Sequence, residues 1–284
     1  GGQASDTVGD RRLYSGYAEL SVPVLEDSPA GSLELQLAGR FESYSDFGET
    51  MKPKIAAVFR PLPEVLVRGS YGTAFRAPTL YQRFSIYGTN DLKPETNRNV
   101  EAGVKFDGPQ GDSFSVIAYR NNVSNLIDYV SGPGACINGA GAFPGCYRNT
   151  LSARYAGVTL AGSTRTAGVA WGASLDLQAP KDLTTGKLLP RRPKKMATFT
   201  ADAPIGGWTL GAELQLVGKR FDDDVNTERL AGYGLLNFTV SRSLSRGWTL
   251  LGRVDNLGDK DYETARGYAT GGRRVYVGLK WAPA

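Results

Sequence analysis

Trp248-Thr249-Leu250-Leu251-Gly252-Arg253-Val254-Asp255 and, after a polar connection, Arg274-Val275-Tyr276-Val277-Gly278-Leu279-Lys280-Trp281 are the stretches that decide the fold. Trp248, Leu250, Gly252 and Val254 alternate with Thr249, Leu251, Arg253 and Asp255. In the second run Val275, Val277, Leu279 and Trp281 alternate with Arg274, Tyr276, Gly278 and Lys280. Successive side chains of a strand point to opposite faces, so each run has one mainly apolar wall and one mostly polar wall. The same pattern returns along the chain. Leu33, Leu35, Leu37, Gly39 and Phe41 oppose Glu34, Gln36, Ala38, Arg40 and Glu42, and Leu210, Ala212, Leu214 and Leu216 oppose Thr209, Gly211, Glu213 and Gln215. Leu236, Phe238 and Val240 alternate with Asn237, Thr239 and Ser241.

About thirteen such strands fit the chain. A soluble sandwich also alternates. Two features weigh against it and favour a barrel set in a membrane. The polar walls carry Glu34, Arg40, Glu213, Arg253 and Lys280, which suit a wide, wet lumen. The connections also alternate in length. Leu62-Pro63-Glu64, Ile205-Gly206-Gly207 and Ser245-Arg246-Gly247 read as short turns; Arg76 to Glu95, Ser131 to Tyr147, Pro180 to Pro190, Phe221 to Ala231 and Gly258 to Gly271 read as long loops. If the last strand descends to an inner C-terminus, every long connection is expected outside and every short one inside. Trp208, Trp248, Trp281, Tyr44 and Phe75, near strand ends, are expected in an interfacial girdle.

Composition agrees. Among 284 residues there are 36 glycines, and helix-favouring runs are missing. No stretch approaches the roughly 18–20 apolar residues of a membrane-spanning helix, and Gly1 does not open a signal peptide. Histidine is absent, which excludes a His-dependent triad or a His-ligated metal site within the chain. No covalent chemistry, enzymatic role or cofactor is implied. The net charge is +5, and the one basic run, Arg191-Arg192-Pro193-Lys194-Lys195, lacks a stacking platform or DNA-binding motif. It reads as a solvated strand entrance, not a nucleic-acid site. Asp222 to Asp224 lack the Gly and Glu of a calcium loop and read as a solvated turn. Cys136 and Cys146 bracket a Gly-rich loop and are the only two cysteines. They are either unrelated thiols or a small disulfide ring; with both in one loop, the ring is favoured.

Leu66-Val67-Arg68-Gly69-Ser70-Tyr71-Gly72-Thr73-Ala74-Phe75-Arg76-Ala77-Pro78-Thr79-Leu80, then Asn90-Asp91-Leu92-Lys93-Pro94-Glu95, then Asp255-Asn256-Leu257 through Tyr262-Glu263, stand in an order that resembles the TonB-dependent outer-membrane receptors. The resemblance implies an all-β, antiparallel transmembrane β-barrel of the bacterial outer membrane. It implies a site for a large ligand at the outer loops and force passed from the TonB system through a plug domain. Barrels of this family have about twenty-two strands and a plugged lumen. Nothing here resembles the plug, so residues 1–284 are expected to be the C-terminal portion of such a barrel, about thirteen of its strands.

The last third looks most like the cobalamin receptors of that family, through Leu188-Leu189-Pro190-Arg191-Arg192-Pro193-Lys194, Gly218-Lys219-Arg220-Phe221-Asp222 and Gly267-Tyr268-Ala269-Thr270-Gly271-Gly272-Arg273. By that resemblance Arg191 and Tyr268 approach a bound corrinoid. Arg191 would donate paired hydrogen bonds to amide or phosphate oxygens, and Tyr268 would offer a ring face and a hydroxyl. Without it, Arg191 reads as an exposed loop charge and Tyr268 as a packing aromatic. Asp222-Asp223-Asp224-Val225 departs from the aromatic that those receptors carry after this corner. Tyr81, Arg83, Phe84 and Tyr87 either reach the ligand or pack against neighbouring loops. The alternatives are a ferric-siderophore receptor and a plug-free passive porin or surface protein. In each the expected partner of the apolar wall is outer-membrane lipid.

Overall fold

The computed structural model describes residues 7–131, 145–244 and 247–282. They form one large antiparallel meander and, inside one of its connections, a separate two-stranded ribbon. In chain order the strands are β1 (Leu13–Ser28), β2 (Gly31–Tyr44), β3 (Gly48–Leu62), β4 (Val65–Arg76), β5 (Glu95–Asp107), β6 (Ser113–Ser131) and β7 (Gly145–Thr166). Then come β8 (Val169–Asp182), β9 (Lys195–Ile205) and β10 (Trp208–Val217), a small ribbon of β11 (Arg220–Phe221) and β12 (Arg229–Leu230), and β13 (Tyr233–Ser243), β14 (Trp248–Asp255) and β15 (Arg274–Trp281). One short helix, α1 (Leu80–Phe84), lies in the connection after β4. The large sheet has thirteen strands, the number that the alternation implies.

The registers bring most of the apolar strand residues to one wall. Leu20 faces Leu37, then Ile55, Tyr71 and Val100. Farther along, Val116 faces Leu160, then Leu175, Ala197 and Leu216. Phe199 faces Leu214, and Leu214 faces Leu236. The opposite wall carries Thr200, Glu213 and Asn237 in one row, with the Asn237 amide donating to Glu213 Oε1 at 2.9 Å. Arg68 and Glu101 pair there at 2.7 Å, and Thr159 donates to Asp176. Because side-chain period is two, a one-residue slip at any hairpin would exchange the walls. The two-residue turns are built to avoid it. Ala167 (φ 49°) with Gly168 (φ 78°), and Gly206 (φ 58°) with Gly207 (φ 80°), have positive φ at both central positions. That is the turn whose twist matches the flanking strands.

The sheet has almost no dry centre. Its large apolar side chains, among them Leu37, Ile55, Phe199 and Trp171, stand open on the surface. A soluble fold would bury them; a wall against lipid does not. The short-turn end of this wall carries Phe106, Phe114, Trp171, Trp208, Trp248 and Trp281 beside the turns, with the Trp248 and Trp281 rings 6.3 Å apart. This is the girdle expected at one membrane face. Tyr44 and Phe75 do not belong to it. They meet Phe47 at the other end of the sheet, and Tyr44 shares the polar wall with Glu42, to which its hydroxyl donates at 2.9 Å.

The rhythm of connections holds with one correction. Residues 77–94, 183–194, 218–232 and 256–273 form long connections at one end, and the β6–β7 connection between Ser131 and Tyr147 mostly lies outside the described residues. The β2–β3 connection, at the same end, has only Ser45, Asp46 and Phe47. Not every outer connection is therefore long. This tip stays tight because Gly48 adopts φ 96° and Asp46 is held by arginines from two other segments. The Ser245-Arg246 part of the last short turn lies outside the described residues.

β1 and β15 each have one unpartnered edge among the described residues. With thirteen strands both edges run in the same direction, so they cannot join as an antiparallel pair. Closure by antiparallel pairing alone would take an odd number of strands between them. An open edge inside lipid leaves backbone groups unsatisfied at several kcal/mol each.

Candidate functional site at the outer loops

Two loop systems stand at the long-connection end. The first is residues 77–94. Pro78, fully buried, begins it, and Thr79 caps α1 by accepting from the Gln82 N–H at 3.1 Å while the Gln82 side chain accepts from the Thr79 N–H. Two of the sequence motifs close the base of this loop. Arg76 and Glu95, the last residue of β4 and the first of β5, form a two-point ion pair, with Nε 2.8 Å from Oε2. Glu95 also accepts from the Ile127 N–H at 2.9 Å. Lys93 exchanges two hydrogen bonds of 2.8 Å with the Asn149 amide of β7.

Arg83 is 8% exposed and lies inside this system. Its guanidinium reaches Asp46 at 3.1 Å and donates to the carbonyls of Asp46 and Asn90. Arg11 grips the same Asp46 oxygen at 2.6 Å, lies near the Tyr44 and Phe47 rings, and donates to the Pro78 carbonyl. Asp46 thus ties the segment before β1, the β2–β3 tip and the α1 loop together. Of the two readings open for Arg83, ligand contact or loop packing, the geometry corresponds to packing. Tyr81 and Tyr87 come into one aromatic group. Tyr81 meets Tyr147 with centroids 6.1 Å apart, Tyr87 meets Tyr129 at 5.9 Å, and Tyr129 meets Tyr147 at 5.5 Å, all edge to face. Sequence reasoning missed Tyr129 and Tyr147. The only available signal was that tyrosines flank the cysteine loop on both strands. Cys146, beside Tyr147, is buried and is not a free thiol. Cys136 lies outside the described residues.

The second system joins the loops after β8, β10 and β14. Arg191 (φ 59°) donates from Nε to Asp222 Oδ1 at 2.7 Å, and its own N–H donates to the Phe221 carbonyl at 2.6 Å. Asp222 Oδ1 also accepts from the Arg266 N–H at 3.2 Å, and Arg266 pairs with Glu228. Asp222 is therefore a node for all three loops. The Asn226 amide clamps Leu188, accepting from its N–H and donating to its carbonyl, each at 2.8 Å. Arg220, 5% exposed, donates to the Ala231 and Glu263 carbonyls and lies over the Tyr233 ring, which leans at a tilt on Tyr262. Asn256, in the third motif, is buried with φ 51° and clasps Lys260 by 2.8 and 3.0 Å bonds, which shapes the start of the last loop. Tyr268 is 70% exposed, beside a hollow of about 380 Å³ lined by Ala231, Tyr262, Glu263 and Thr270.

The three aspartates are not alike. Asp223 accepts from the N–H groups of Thr227 and Glu228 and from the Thr227 hydroxyl, as in a solvated turn. The hydrogen bond from Arg191 holds the Asp222 carboxyl below its ordinary 3.8. A depressed carboxylate contributes its tie above the unfolded pKa and loses it as pH falls through the folded one. The Arg191–Asp222 contact should hold at neutral and mildly acid pH and open only below about pH 4. A spin label at Arg192 should stay immobile from pH 7 down to about 4 and gain mobility only below that value; equal mobility throughout would show that Asp222 does not hold the loop.

With this geometry in place, relatives can be compared. The family described as TonB dependent receptor-like, beta-barrel matches residues 1–257. The chain belongs to that family of bacterial outer-membrane receptor barrels. The vitamin B12 transporter BtuB of Vibrio cholerae is 33% identical over 255 residues, covering 86% of this chain and 39% of the transporter. The chain thus spans about two fifths of that relative's length. Among solved structures, the ferric enterobactin receptor PfeA of Pseudomonas aeruginosa (G324V mutant) superposes with a TM-score of 0.78 at 20% identity, over 95% of this chain and 44% of the receptor. The siderophore receptor PirA of Acinetobacter baumannii gives 0.78 at 19% identity, over 96% and 47%. These two establish the fold of the barrel wall. The relatives are transporters and receptors, not enzymes.

Proposed function

We propose that this chain forms thirteen strands in the C-terminal part of an outer-membrane receptor barrel that takes up cobalamin or a similarly large, scarce ligand by TonB-dependent active transport. The observation that carries the reading is the loop node at Arg191, Asp222 and Arg266, placed above a wet inner wall in a chain similar to a vitamin B12 transporter. The rest of the wall and the plug that contacts TonB come from the remainder of the receptor. The ligand-binding residues in this reading are Arg191 and Tyr268 on one loop system, with Tyr81 and Tyr87 on the other. Arg83 acts behind them by fixing the α1 loop. Arg191 keeps part of its fork available, since Asp222 is gripped mainly through Nε at 2.7 Å, with Nη2 at 3.4 Å. A phosphate or amide oxygen of the ligand meets that free edge and the Tyr268 ring.

The test is uptake by cells that lack their own cobalamin receptor and carry the complete receptor. Labelled cyanocobalamin should accumulate, and a protonophore should stop it. Arg191→Ala should weaken binding about tenfold, the size of one charge-assisted hydrogen bond. Uptake that ignores the protonophore, with steady conductance in planar bilayers, would make the protein a passive pore. Competition by a ferric chelate but not by corrinoid would assign it to siderophores.

A further inference from the structure

Cations interrupt the apolar pattern of the lipid-facing wall at the outer end of β5 to β8. Arg98 of β5 faces Asn122 of β6, Asn122 faces Arg154 of β7, and Arg154 faces Lys181 of β8. Each has the parity of its strand's lipid-facing residues: Arg98 that of Val100 and Val104, Asn122 that of Val116, Arg154 that of Leu160, and Lys181 that of Leu175. Arg120, one pleat below Asn122, faces Val100 and Ala156 on the same wall. Three arginines and one lysine thus share a strip four strands wide. With strands about 4.8 Å apart, its ends at Arg98 and Lys181 are separated by roughly 14 Å.

The strip stands at the outer edge of the hydrocarbon. Lys181 lies ten residues along β8 from Trp171 in the girdle, which at about 3.3 Å per residue and a 40° tilt is roughly 25 Å, the height of the apolar band. Arg98 lies eight residues from Phe106, roughly 20 Å by the same measure, and its long stem carries the charge up to that edge.

These charges lack a counter-ion of the protein's own. On the opposite wall Arg40, Arg68, Lys105 and Arg253 pair with Glu42, Glu101, Asp107 and Asp255. Among the described residues, Arg98, Arg120, Arg154 and Lys181 have no carboxylate partner. Arg154 donates from Nε to Asn122 Oδ1 at 3.0 Å, a neutral partner. The lipid-facing positions between the strip and the girdle on these four strands include no aspartate or glutamate. Arg98, Arg120 and Lys181 are exposed, and Arg154 is half-buried. Like charges crowded at the edge of a low-dielectric layer repel one another, and anions placed among them reverse the sign. Small side chains, Ala156 and Ala179 in one row and Ala118 in the next, leave room below the charges.

We infer that Arg98, Arg120, Arg154 and Lys181 form a docking strip for an outer-leaflet glycolipid that carries two phosphates. A single phosphate cannot touch both ends of the strip; two on one headgroup can. The arginine forks match phosphate oxygens. The acyl chains lie below, over the row of Ala118, Val158 and Leu177. The inference uses the lipid-facing wall alone and is independent of the ligand that the receptor carries.

The experiment is equilibrium binding to the complete receptor, freed of lipid in detergent, with bisphosphorylated lipid A and with the same lipid bearing one phosphate or none. The bisphosphorylated probe should bind, and each phosphate removed should weaken it. Arg98→Gln and Lys181→Gln should each weaken it by about fivefold, the size of one basic residue at an anionic membrane surface. Lys181→Arg, which keeps the charge, should stay within about twofold, as should Arg253→Gln on the opposite wall. Failure of the bisphosphorylated probe to bind, or equal binding of the phosphate-free lipid, would overturn the strip. So would glutamine variants that bind like the parent, or an Arg253→Gln loss as large as theirs, which would make net charge the cause. Equal binding of the one- and two-phosphate forms would overturn the two-phosphate assignment. Should a variant fail to fold, the phosphate series on the unaltered receptor still decides.

Discussion

Leu175→Arg is expected to destabilise the membrane-inserted barrel by about 2–4 kcal/mol, the depth-dependent penalty for arginine at the bilayer midplane on a lipid face. Leu175 lies six residues above the β7–β8 turn, which at about 3.3 Å per residue and a 40° tilt is near the middle of the hydrocarbon. Its neighbours across the ladder are Leu160 and Ala197, and neither offers the guanidinium a partner. Ser174→Arg, one position earlier, points to the opposite wall among Ala161 and Thr198 and meets water. That variant should stay within about 0.5 kcal/mol of the parent. Urea titration of the barrel in lipid vesicles measures both. Equal effects at 174 and 175 would mean that the two walls do not face different solvents, and the assignment of lipid and lumen would fail.

Asp46→Ala should release the α1 loop without disturbing the sheet. Asp46 and Arg83 have side chains 8% and 9% exposed, and removing one partner of a buried pair costs about 3–5 kcal/mol because it strands the other charge. Arg83 already has one unsatisfied donor, its Nε, so it has little to fall back on. Arg11 would lose its main partner in the same change. The expected result is fast hydrogen exchange over residues 77–94, with β2 and β3 still protected. Asp46→Asn keeps the shape and removes the charge, and should fall between the parent and alanine. Unchanged exchange in both variants would show that the base of the loop, Arg76–Glu95 and Lys93–Asn149, holds it alone.

The wall was legible in the residues because a strand reports its own two faces. Leu33 to Phe41 and Leu210 to Leu216 state which side is apolar without help from any neighbour. The motifs were legible as strings, but their work was not. Phe75-Arg76-Ala77-Pro78 and Lys93-Pro94-Glu95 became one unit only when Arg76 met Glu95, and Asp255-Asn256-Leu257 became a loop clasp only when the Asn256 amide closed on Lys260. Arg83 looked like any loop cation in sequence; burial beside Asp46, thirty-seven residues away, gave it a positioning role. Tyr44 was misplaced for a related reason. Its distance from a strand end suits a girdle, but its parity puts it on the wet wall.

Alternation and turn chemistry alone determined that this protein is a membrane-facing β-meander of about thirteen strands, since period-two patterning and positive-φ turns are properties of neighbours in the chain. Tertiary structure decided the rest: the Asp222 node joining three loops, the Asp46 knot and the gathering of Tyr81, Tyr87, Tyr129 and Tyr147. Those contacts join residues tens of positions apart, and their partners follow from strand register and loop path, which no local pattern encodes.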